Sequence, residues 1–170
     1  MSSFLINNEI HNDDNKETVN KNIKNSCIIE FNFNINNIEE QYNNMTNTWL
    51  SYYEDNSIDN FTLVFKGDDD NNIPINYVYR LSKFIKKIKN KRKKDYVKYN
   101  KLSQSIVMIK SKYMRALLNL LFTLVSPLSD LYITSTIEQT NMITDNIEKG
   151  NTILPETLKD IQHIKSSYDK

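Results

Sequence analysis

An α/β fold, built on a small, largely parallel or mixed four-stranded sheet covered by helices, is what this sequence predicts. Three short apolar runs at residues 61–65, 105–109 and 131–134 alternate with two helix-length amphipathic segments. That order reads as β-α-β-α-β, the repeating unit of a parallel sheet. Upstream, Ile29, Phe31, Phe33 and Ile35 alternate with Glu30, Asn32 and Asn34, which adds a strand with one buried and one wet face. The length of 170 residues suits one domain.

Residues 1–25 are crowded with Asn, Asp, Lys and Glu and show no sustained apolar period. Such a segment buries too little apolar surface to offset the entropy of ordering, so it is expected as a disordered polar tail ahead of a single domain over 26–170. The first strand should lie at a sheet edge, because only one of its faces is apolar. Ile38, Tyr42, Met45, Trp49 and Tyr52 recur at helical spacing, predicting a helix over 37–54 with Asn36 or Asn37 as its cap.

The run Phe61-Thr-Leu-Val-Phe65 is apolar on both faces, as a central parallel strand should be. A loop from Gly67 follows, and Pro74 suits the first turn of the next helix. That helix, expected over 75–91, sets Tyr77, Val78, Leu81, Phe84, Ile85 and Ile88 against Arg80, Lys83, Lys86 and Lys87. A charged connection leads to a buried strand ending at Ile109. Ser111 is the expected N-cap of an apolar helix over 112–125 that Ser126-Pro127 stops. Two polar helices close the chain, over 137–149 with Gly150 at its C-terminus and over 155–167 with Pro155 at its start. These terminal helices are expected to cover Tyr113, Leu120 and Leu124 on the flank of the 112–125 helix.

The 22 basic and 21 acidic side chains leave a net charge of +1, so distribution matters more than the sum. Cys27 is the only cysteine, which rules out an intramolecular disulfide and favours a reducing, cytoplasmic setting, with nuclear import as an alternative. The N-terminal apolar triplet Phe4-Leu5-Ile6 is too short for a signal-peptide core. The most apolar stretch, over 114–125, is about half of the ~20 residues a membrane span needs.

No catalytic or cofactor constellation stands out. One isolated Gly67 cannot build a phosphate-cradling loop, which needs several close backbone approaches to the anion. Asp68, Asp70 and Asn72 offer oxygen ligands at alternate positions, but Ile73 stands where a calcium loop needs glycine and Tyr79 where it needs a bidentate glutamate. The bland reading, a solvated turn, is preferred, and no metal is expected. His11 and His163 show no spacing that pairs them with each other or with Cys27, which reads as a small hydrophobe at a strand start.

The strongest charge feature spans residues 80–101, which hold half of the chain's Lys and Arg with only Asp95 opposing. Arg80, Lys83, Lys86, Lys87, Lys91, Arg92, Lys93 and Lys94 are the candidate anion-binding residues, with Tyr96 and Tyr99 available for stacking. The competing reading is the solvated outer face of a surface helix.

The order from Phe61 through the loop at 67–74, the helix at 77–88, the strand at 105–109, the Leu-rich helix at 113–125 and the strand at 131–134 resembles the latter part of a STAS domain, the sulfate-transporter and anti-sigma-factor-antagonist family. The resemblance covers less than half of the chain and lies in pattern. It implies a noncatalytic, regulatory protein-interaction module whose loop and following helix face the partner. In that family the loop carries a phosphorylatable Ser or Thr; here it reads Asp68, Asp69, Asp70, Asn71, Asn72, with permanent negative charge and no hydroxyl. These five are the candidate partner-binding residues. The expectation is therefore a noncatalytic adaptor without a cofactor, binding another protein. The alternative is a binder of anionic surfaces, nucleic acid or acidic lipid, through the basic segment.

Overall fold

A computed structural model of the protein describes residues 25–33, 36–67, 73–153 and 158–166. The tail over 1–24 and the acidic loop residues Asp68, Asp69, Asp70, Asn71 and Asn72 lie outside these, as does Ile35 of the expected first strand.

Five strands form one sheet in the order β1-β2-β3-β4-β5. Strands β1 (Ser26–Phe33), β2 (Asn60–Gly67), β3 (Leu102–Met108) and β4 (Asp130–Thr134) run parallel, and β5 (Gln162–Ile164) pairs antiparallel with β4. The sheet is thus mixed and has five strands where the sequence suggested four. The expected helix over 155–167 gives way, in its described part, to a turn at residues 158–160 and the short strand β5. Leu158, Ile161 and Ile164 keep a spacing of three that imitates a helix. The unpaired edge of β4 offers this segment backbone partners that an isolated polar helix would lack.

Because each parallel strand is followed by its spatial neighbour, right-handed crossovers place their helices on a single face. Helices α1 (Ile38–Glu54), α2 (Ile75–Lys94) and α4 (Lys112–Leu124) accordingly share one core with the sheet, built on Trp49, Tyr53, Ile85, Ile88, Leu117 and Leu121 over Ile29, Phe61 and Leu63. Helix α5 (Ile137–Glu148) follows β4 into an antiparallel strand, so the crossover rule does not bind it. It lies on the opposite face, where Ile143 packs with Val64, Ile106, Tyr132 and Ile161. Since α5 sits there, it does not cover the flank of α4, and Tyr113 remains 47% exposed.

Local signals account for the boundaries. Ser111 caps α4, its hydroxyl accepting from the Met114 amide, as expected. Asn37 precedes α1 but its side chain caps nothing; it takes a left-handed conformation with φ of 60°, which Asn tolerates better than most residues. Gly150, φ 65°, ends α5 in the same left-handed region, where glycine has no Cβ penalty. Helix α2 runs one turn further than its apolar stripe suggested, through Lys94, because the four basic residues of its last turn complement the negative end of the helix dipole. The expected connection after it contains one short helical turn, α3 (Tyr96–Tyr99), capped by the Asp95 carboxylate on the Lys98 amide. Strand β1 is an edge strand, and Cys27 on it is half-buried, its thiol pushed up to about 11 by desolvation and by the nearby Asp55 carboxylate.

Candidate functional site

Helix α2 sits between α1 and α4, so two of its flanks are packed and its outer face alone meets solvent. Of its twenty residues nine are Lys or Arg and none is acidic. The eight basic candidates do not form one surface. Lys83, Lys86, Lys87, Lys93 and Lys94 are exposed, and none of the five makes an ion pair among the described residues. Their spacing lays them along one side of the helix, with exposed Tyr79 near its start and exposed Tyr96 and Val97 just beyond its end.

The other three candidates are held by the fold. Arg80 places both guanidinium nitrogens on Glu39 of α1, at 2.5 and 2.8 Å, and lies over the rings of Tyr42 and Tyr77 at 4.3 and 4.9 Å. The Arg80 guanidinium, helped by the Tyr77 hydroxyl, holds the Glu39 carboxyl down at about 2. Lys91 donates to the Tyr99 hydroxyl at 3.0 Å, which in turn donates to Glu54 at 2.9 Å.

Arg92 is buried, 3% exposed, and its Nε and Nη1 each donate at 2.9 Å, to the carbonyls of Tyr99 and Leu128. It ties the end of α2 to α3 and to the chain entering β4, and so takes no part in an outer anion-binding face. A charged residue normally argues for the surface. The signal that places Arg92 inside is its spacing of seven and fourteen from the buried Ile85 and Val78, which sets all three on one stripe.

Between this helix layer and the sheet lies a second feature, one that no residue pattern announces. A half-open apolar cavity of about 190 Å³ runs under α2 and α4. Both Leu102, where β3 begins, and Ile109, just past its end, line it, so the space extends along that whole strand. Its walls include Trp49 and Phe65, the helix residues Val78, Ile85 and Leu118, and Val107 of β3.

Cys27 and His163 stand on β1 and β5, the two opposite edges of the sheet. His163 Nε2 is 3.1 Å from the Asp130 carboxylate and its ring stacks on Tyr132 at 4.6 Å, while Asp130 also accepts from the Ser166 amide. These contacts fasten β5 to β4. His11 lies outside the described residues. Among the described residues no group of three or more His, Cys, Asp or Glu side chains could hold a metal ion, and no helix is long and apolar enough to cross a membrane. Comparison of the chain with protein-family models, with curated proteins and with solved structures finds no match.

Proposed function

We propose that this protein is a noncatalytic, STAS-like interaction module that binds another protein through the outer face of α2 and the acidic segment of Asp68, Asp69, Asp70, Asn71 and Asn72 that precedes this helix in the sequence. The observation that carries the reading is the exposed row of Lys83, Lys86, Lys87, Lys93 and Lys94 on a helix with no acidic residue. A helix that needed only to be wetted would gain from intermixed acids at i and i+4, which offset the mutual repulsion of its lysines. Concentrating like charge costs stability and is repaid when an acidic partner arrives, whose approach the same field accelerates. The consecutive parallel strands with three helices on one face agree with the STAS-like layout, in which the helix after the central loop meets the partner. The reading places the protein inside the cell.

The test is a pull-down with the full chain against a variant carrying Lys→Gln at 83, 86, 87, 93 and 94. These side chains are exposed, so the variant should fold normally and lose its partners by about tenfold or more. Unchanged partners would dispose of the α2 surface. An Asp→Asn change at 68, 69 and 70, tested alongside, reports separately on the loop.

A second reading, binding of nucleic acid or acidic lipid, draws on the exposed Tyr79, Tyr96 and Val97 beside the lysines, which suit stacking or interfacial contact. It predicts binding to single-stranded RNA or phosphatidylserine vesicles that falls steeply as salt rises. Absence of binding to either at low salt would eliminate it.

A further inference from the structure

We infer that the cavity between the helix layer and the sheet is a binding site for one neutral, unbranched aliphatic chain. Three observations on the space itself point there. Its volume, about 190 Å³, exceeds that of the roughly 150 Å³ apolar cavity that is known to stay dry and to take up benzene. It is long enough for an extended chain: lining from Leu102 to Ile109 spans seven residue steps of β3, on the order of 20 Å at the rise of a strand. Its walls adapt, since Met45, Met108 and Met114 are among them, and unbranched thioether side chains re-pack around a guest at little cost.

The neutral head group follows from the charges around it. Lys66 is the one cation among the described lining residues, and its ammonium is engaged by Glu30 at 2.8 Å on the far side of the sheet. The guanidinium nearest the lining tyrosines, that of Arg80, is held by Glu39. An incoming carboxylate would therefore leave water for a site whose described residues offer no unengaged cation, whereas an alcohol or ester loses little. Ser105, a hydroxyl on the wall, is already 3.2 Å from the Ser129 hydroxyl, and the lining donor left without a hydrogen-bond partner, the buried Trp49 Nε1, is neutral and suits an alcohol or ester oxygen.

Trp49 lines the cavity, is 4% exposed and is the chain's only tryptophan, so its fluorescence reports on the space directly. The probe is 8-bromooctanol, whose bromine quenches an indole only at contact. The expected result is saturable quenching of Trp49, reversed by unbrominated octanol, weaker with 8-bromooctanoate at neutral pH, and lost in Val107→Phe and Val78→Phe, which fill the space from opposite walls. Circular dichroism confirms that each variant is folded. Should neither fold, octanol competition on the native chain decides: full recovery of fluorescence supports the site, and none overturns it. Quenching that never saturates, that persists in the folded variants, or that is stronger with the carboxylate overturns the proposal. So does quenching that appears only after Phe4, Leu5 and Ile6 are changed to Ser, because the space would then belong to the chain's own apolar triplet. The lysine row of α2 plays no part in this test, so its outcome is independent of the interaction reading.

Discussion

The two faces of the sheet are built differently. One carries α1, α2 and α4 over a wide apolar core with a half-open cavity along β3; the other carries α5 and a small cluster around Val64, Ile106, Tyr132 and Ile143. The first face has area to spare and keeps empty space within it. The second has little area, its buried apolar residues being Val64, Ile106, Tyr132, Ile143 and Ile161. Packing therefore limits stability on the α5 side, while the helix-layer side has room to trade stability for binding. The lysine row belongs to the same layer, on its outer surface, so both proposed functions sit on one side of the molecule.

The largest effect that should separate the faces is on the α5 side. Ile143 is fully buried, and Ile143→Ala should cost about 2–5 kcal/mol in denaturant unfolding, since the small cluster has few neighbours able to collapse into the gap. A cost under about 1 kcal/mol would mean that this face is as accommodating as the other. Next comes the stitch between α2 and β4. Arg92→Met keeps the volume but strands the Tyr99 and Leu128 carbonyls, and unfolding should show a loss of about 1.5–3 kcal/mol.

A methyl group added to each face gives the sharpest contrast. Val107→Ile fills part of the cavity and should raise the unfolding midpoint slightly, by up to about 1 kcal/mol. Val64→Ile, at a fully buried site in the small cluster, should lower stability by about 1–3 kcal/mol through overpacking. Equal signs for the two changes would erase the distinction.

The smallest expected effect is the acid sensitivity of the α1–α2 contact. Glu39 titrates near 2 in the folded protein against an ordinary value of 4.5, so its bond to Arg80 supports the fold above 4.5 and is lost as pH falls toward 2. Glu39→Gln should flatten the acid-unfolding profile in that window, measured by circular dichroism; an unchanged profile would show that the pair contributes nothing.

The same contrast explains what was legible in the sequence. The helix-layer face is made of local patterns: alternation in β1, continuous apolar runs in β2 and β3, and stripes of period 3.6 in α1, α2 and α4. Each is decided within a dozen residues, and each appears close to where the sequence put it. The α5 face depends on β5, three residues whose identity as a strand comes from the open edge of β4 rather than from their own spacing. Ile161 and Ile164 carried the wrong period, and no local signal outweighed it. Arg92 was misleading for a related reason, since its charge spoke for solvent while its register spoke for the core. The cavity left no trace at all in the sequence, because a void depends on how residues from seven strands and helices fail to meet. The outer lysines of α2 were legible because exposure and charge agreed.

Pressurising crystals of the full-length protein with xenon measures the difference between the faces most directly, since xenon enters dry apolar voids and little else. The account predicts xenon density between Trp49, Leu118 and Val107 and none between α5 and the sheet. No xenon under α2 and α4, or equal occupancy beside Ile143, would contradict it.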